Sequence, residues 1–171
     1  MLLMPIHFPR INGRLLFIHF LSVPFFILGA RQVAFIPYAG IIERYQQGGM
    51  RAIPDLPQGQ TPTAEYIAGL IASPLYAWFL AILASCALSA LVVWHRRESK
   101  LMPVVLFILA IVTSWTHYYE SKPILKGMAF LRWPLEGRPL ATRLGVVGPA
   151  LLVLGCLPFL LTWQRPAEEQ N

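Results

Sequence analysis

The 171-residue chain is 56% apolar and only 13% charged, with a mean hydropathy of +0.56. Those values exclude an ordinary soluble domain and fit an integral membrane protein made of one bundle. The formal charge of +6 is no nucleic-acid signal. Lys and Arg sit in loops and at the ends of apolar runs, without a basic stripe or RNP-like motif, so the expected partner for this charge is anionic lipid.

The first apolar run, residues 15–36, follows Arg10 and Arg14 and carries the small pair Gly29-Ala30, a pattern resembling a cleavable signal peptide. Leu28 fits poorly at the third position before such a cut, so the run is expected to stay as a first span. Pro24 at its centre predicts a bend, and Arg31 near its far end is expected to reach outward to headgroups. The stretch "AGIIERYQQGGMRAI" then mixes Ile41, Ile42 and Tyr45 with Glu43, Arg44 and Gln46, which suits a short interfacial helix. "PDLPQGQTPT" is turn and loop material.

The second run, residues 66–94, would be about 44 Å long as a helix against a hydrocarbon core of about 30 Å. It must tilt, kink at Pro74, or begin among the headgroups. After the turn "HRRESK" comes the third run, residues 101–119, with Pro103 in its first turn, where a missing N–H costs nothing. "PILKGMAFLRWPL" offers a second interfacial helix. The fourth run, residues 144–163, contains Gly145, Gly148, Pro149, Gly155 and Pro158, which membrane helices tolerate because neighbours satisfy the freed backbone groups. Cys86 and Cys156 lie inside apolar runs, without zinc or CxxC spacing, and are expected unpaired at similar depth.

The expected fold is therefore an all-α integral membrane protein: a single domain of four transmembrane helices, with short interfacial helices in the two longer loops. Four spans place both termini on one side, side A, together with the His95–Lys100 turn. Side B holds the longer loops. Trp94 and Trp163 mark boundary A, while Trp115, Tyr118, Tyr119 and Trp133 mark boundary B. Side B has more basic residues, but Arg10, Arg14, Arg96, Arg97, Lys100 and Arg165 crowd the span ends on side A, so the termini are expected on the cytoplasmic side.

The stretch "TSWTHYYESKP" crowds polar and aromatic groups at boundary B. With about 100° per residue, Thr113, Thr116, His117 and Glu120 share a face aimed at the bundle interior, while Trp115, Tyr118 and Tyr119 face lipid. The four polar residues are the candidate ligand site, suited to a quinone-like headgroup or to proton handling. The plainer alternative is that they anchor the span, with Glu120 paired to Lys122 or an arginine. Below Thr113 the face reads Ala110, Leu109 and Leu106, so no polar path crosses the membrane. On side A the polar residues within spans are His19, Ser22, Ser85 and Ser89.

No metal or cofactor is expected. Haem needs two imidazoles facing each other at similar depth, yet His19 lies about 7 Å inside boundary A, His95 lies at that boundary, and His117 is alone on side B. The chain has no GxSxG, P-loop or HExxH pattern, so catalysis has no positive support.

The strongest pattern concerns packing. Gly69, Ser73, Ala77, Ala81, Ser85 and Ser89 recur at every fourth position, and small residues at that spacing let two membrane helices approach closely. The expected function is that of a small polytopic subunit, acting by packing and scaffolding among other membrane subunits or copies of itself. Two alternatives stay open. One is a multi-copy membrane effector or pore, and the other is a small membrane oxidoreductase component with a quinone-like pocket near Thr113, His117 and Glu120.

Overall fold

A computed structural model describes residues 11–49, 64–116, 126, 129–131 and 133–164. Among these residues no strand forms. The elements are α1 (Gly13–Ala34), a 3-10 turn (Ile36–Tyr38), α2 (Ala39–Gly48), α3 (Ala64–Arg96), α4 (Met102–Trp115), a second 3-10 turn (Trp133–Leu135) and α5 (Leu140–Trp163). Helices α1, α3 and α5, of 22, 33 and 24 residues, are long and apolar enough to cross a bilayer, as a multi-pass membrane protein requires. Helix α4 has 14 residues, about 21 Å, which falls short of a hydrocarbon core of about 30 Å. The expected third span continues to residue 119, and residues 117–119 lie outside the described residues. Of the second expected interfacial helix, residues 129–131 are helical and Trp133–Leu135 form a turn.

Local chemistry sets the helix ends. Asn12 caps α1 by accepting from the Leu15 N–H at 3.2 Å, satisfying a backbone donor that has no intrahelical partner. Helix α2 stops at Gly49, whose φ of 63° falls in the left-handed region that favours glycine. Helix α3 stops the same way without a glycine: Arg97 has φ 57°, and the Glu98 N–H reaches back to the Val93 carbonyl at 3.0 Å. Pro103 stands in the first turn of α4.

Helix α1 is the hub. It packs most extensively against α5, next against α3, and also touches α4. The helix that a signal-peptide reading would discard therefore supplies Val23, Phe26 and Ile27 to the central core, where they meet Ala81, Ile82 and Val92 of α3, Leu106 and Ala110 of α4, and Phe159 of α5. In lipid these contacts stabilise by close packing rather than by removal from water.

The tightest approach is between α1 and α5. A Cβ on Gly29 would lie 2.9 Å from the Gly148 carbonyl oxygen, and one on Gly155 would lie 3.0 Å from Phe26 Cδ2. At Gly29 a larger residue would press on the backbone of α5, and at Gly155 the Phe26 ring would have to shift.

The small-residue row of α3 also turns inward. Ala77, Ala81, Ser85 and Ser89 are buried, and Ala81 packs in the cluster with Val23, Phe26 and Ile27. Gly69 and Ser73 are half-buried, and a Cβ on Gly69 would collide with the Tyr38 hydroxyl. Cys86 and Cys156 are unpaired and half-buried against the central cluster.

Candidate functional sites at the two ends of the bundle

At the end formed by Asn12, Arg96 and Trp163, a polar centre joins three helices. His19 of α1 is completely buried. Its Nδ1 lies 3.0 Å from Ser89 Oγ on α3, and its Nε2 lies 3.0 Å from Thr162 Oγ1 on α5. The Thr162 hydroxyl hydrogen is directed to the Pro158 carbonyl at 2.7 Å, so Thr162 accepts and Nε2 must carry the proton. Nδ1 then accepts from the Ser89 hydroxyl. This hydrogen-bond logic fixes one tautomer of the neutral ring.

Flanking contacts tie the same end together. The Phe159 ring packs 4.6 Å from the imidazole. Arg96 Nη1 donates to the Thr162 carbonyl at 3.1 Å, and Asn12 Nδ2 donates to Glu98 Oε1 at 3.0 Å. His95 stacks on Trp163, with centroids 4.6 Å apart. Ser89 and His19 have the spacing of a nucleophile and its base, but both are fully buried, so the pair fastens helices instead of meeting a substrate.

At the opposite end the buried face of α4 is Met102, Leu106, Ala110 and Ser114. It does not pass through Thr113 and Thr116. Thr113 is half-buried and donates to the Leu109 carbonyl at 2.7 Å, while Thr116 is exposed and donates to the Thr113 carbonyl at 2.8 Å. Both hydroxyls are thus spent on their own helix. His117 and Glu120 lie outside the described residues. The physical reason for the difference is that α4 packs along a row of every fourth residue, which winds about 40° around the helix per step. A face centred near Leu106 arrives at Ser114 by the last turn.

Ser114 belongs to a groove of about 510 Å³ between α1, α3 and α4. Ile27 and Arg31 line it from α1, Pro74, Leu75 and Trp78 from α3, and Ile111, Ser114 and Trp115 from α4. Its floor is buried: Ile27 is 2% and Ser114 6% exposed. Its rim is open, with Leu75 66% and Trp115 85% exposed. The Ser114 hydroxyl is buried with no hydrogen-bond partner. Ser85, Thr113, Thr116 and Thr162, by contrast, all donate to carbonyls of their own segments. Arg31, in the last turn of α1, lies with its guanidinium 5.8 Å from the Phe35 ring centroid.

No family model, characterised protein or solved structure matches this chain. Function has to be argued from the two sites alone. Among the described residues no group of three or more His, Cys, Asp or Glu side chains is placed to hold a metal ion. Sequence reasoning named His19, Ser85 and Ser89 as polar groups on side A, but missed Thr162 and Ser114. Ser114 sits inside the stretch that drew attention, one residue from Thr113, and only the direction of packing distinguishes the two.

Proposed function

We propose that the protein is a small four-span membrane subunit that binds an amphipathic molecule in the groove between α1, α3 and α4. The observation that carries this reading is the groove itself. At about 510 Å³ it falls within the range of roughly 300–1,000 Å³ typical of ligand sites, and its lining is apolar with two polar groups, Arg31 and Ser114. On this reading the ligand site stays near the end of the third span, but moves from Thr113 and Thr116 to Ser114 and Trp115. On this reading α4 belongs to the remaining span, and both termini face the cytoplasm, where basic residues crowd the span ends.

Scaffolding in a larger assembly, or among copies of the chain, is the second reading. Its support was the small-residue row of α3. That row is largely buried within the chain, so it is spent on the protein's own fold.

Native mass spectrometry of the full chain in mild detergent tests both readings. One retained amphiphile per chain is expected, and Ile111→Phe, which fills the groove, should abolish it. Equal adducts in the wild type and Ile111→Phe would overturn the binding reading. A defined multimer without adducts would favour scaffolding.

A further inference from the structure

We infer that the groove takes an amphiphile whose polar end presents an uncharged carbonyl oxygen, an ester or a quinone-type ketone, which accepts from the Ser114 hydroxyl while the apolar chain lies against Ile27, Trp78 and Ile111. This rests on the binding reading above and narrows it to one ligand chemistry.

The hydroxyl is the first observation. Ser114 is 6% exposed, and its Oγ is buried with no hydrogen-bond partner. A serine in a membrane helix can satisfy itself on a carbonyl one turn back, as Thr113 does on the same helix, and a buried hydroxyl that bonds to nothing is costly. Ser22 and Ser73 are also buried without partners. Of these unpartnered buried groups among the described residues, only Ser114 lines the groove.

The lining then selects the chemistry of the ligand. Trp78 and Trp115 add indole N–H groups, which only donate, and none of the lining residues is Asp, Glu, Asn, Gln or His. A ligand amine would find no carboxylate or amide there, whereas a carbonyl oxygen meets a donor. Arg31 is engaged within the protein, with the Phe35 ring among its neighbours, so the donor left at the floor is the serine. Nothing in the groove therefore calls for a charged headgroup, which would lose its hydration on entering.

Depth is the third observation. Ser114 is one residue from Trp115, whose 85% exposure suits an aromatic side chain at the membrane boundary. Ile111 lies one turn deeper, about 4.5 Å. A carbonyl at the level of Ser114 leads an apolar chain inward past Ile111, and the exposed rim of Leu75 and Trp115 lets it enter from the bilayer. Two kinds of amphiphile have this form: a diacyl lipid, through its ester, and a long-chain quinone.

The test uses the full chain in mild detergent and native mass spectrometry, with three amphiphiles added singly at equal concentration. They are a diacyl phosphatidylcholine, its dialkyl ether analogue with the same headgroup and chain length, and a neutral long-chain quinone. If the source is a lipid ester, the diacyl form should be retained about fivefold more than the diether, as expected of one ordinary hydrogen bond, and Ser114→Ala should bring that ratio below about twofold. If the source is a quinone, it should be the best retained of the three and fall about fivefold in Ser114→Ala. Ser22→Ala, which deletes a buried unpartnered hydroxyl away from the groove, should match the wild type in both comparisons. Ser114→Ala breaks no hydrogen bond of its side chain, so its melting temperature should not fall.

Equal retention of the diacyl and diether forms by the wild-type chain, together with quinone retention unchanged by Ser114→Ala, would overturn the carbonyl assignment. If Ile111→Phe still removes the adducts in that case, the groove reading survives and only the carbonyl assignment fails. If Ile111→Phe changes nothing either, both fail together.

Discussion

Replacing Gly29 with alanine puts a methyl group where α1 and α5 cross. The new Cβ would lie 2.9 Å from the Gly148 carbonyl oxygen and 2.9 Å from Leu152 Cγ. Leu152 can rotate away, but the carbonyl is backbone, so relief requires the two helices to part. Overpacking of this kind costs about 1–3 kcal/mol, against which alanine gains up to about 1 kcal/mol over glycine as a helix former. Gly145→Ala is the matched control, since a Cβ there meets nothing within 4 Å and only the helix-forming gain remains. The difference between the variants isolates the crossing. At roughly 2–4 °C per kcal/mol for a chain of this size, about 1–3 kcal/mol corresponds to a melting gap of about 2–12 °C in the same detergent. Gly148→Ala should behave like Gly29→Ala, because its Cβ would lie 2.8 Å from Val33 Cγ2. The double variant should lose less than the sum, since helices already parted have room for the second methyl. Matching melting curves for Gly29→Ala and Gly145→Ala would refute the close crossing.

The polar centre gives a second expectation: Thr162→Val leaves the His19 Nε2–H without its acceptor and should cost about 1–3 kcal/mol in detergent unfolding, whereas Thr162→Ser should stay near wild type. Equal losses in the two variants would mean that the hydroxyl is not holding the ring. A third concerns α3, where Ala81→Leu should lower the melting temperature by overpacking the core, and Phe79→Leu, 47% exposed on the outer face, should change little. Because Ala81 meets α1 of the same chain, native mass should be unchanged in both variants. Loss of a multimer by a still-folded Ala81→Leu chain would instead place the partner helix in another copy.

The long apolar helices, the short helix at Ala39–Gly48 and the proline-started α4 were legible because length, composition and end chemistry determine them. Which face turns inward was not. In water, polarity separates the outer face of a helix from the inner one. In lipid both faces are apolar, and adjacent residues of one kind can have opposite fates: Ile82 is completely buried while Leu83 is 42% exposed. Small residues carry directional information that hydropathy lacks, and of the row from Gly69 to Ser89 the members Ala77, Ala81, Ser85 and Ser89 are buried. It could not identify the partner. The closest crossing is marked by only Gly29, Gly148 and Gly155, distributed over two helices far apart in sequence, where no regular spacing announces them. Thr162 and His19 were hidden for the same reason, since their pairing exists only once α5 lies beside α1.

The two ends of the molecule therefore do different work with the same alphabet. At the His19 end, hydrogen bonds from Ser89, Thr162, Arg96 and Asn12 join α1, α3, α5 and the turn before α4, and such directional contacts fix helix positions in a medium that supplies no hydrophobic drive for association. At the other end, α4 meets α1 and α3 through apolar side chains that include Ile27, Trp78 and Ile111. The packing row of α4 winds as it climbs, and its last inward member is the small Ser114 rather than a large apolar side chain. A gap opens there, and the polar groups left facing it are a serine without a partner and the arginine that ends α1. Ser22, close to His19 on α1, is likewise buried with no hydrogen-bond partner, so the missing partner alone does not make a site; the groove beside Ser114 does. The buried Ser114 hydroxyl and the open rim of Leu75 and Trp115 are what support the proposal that the groove binds a ligand.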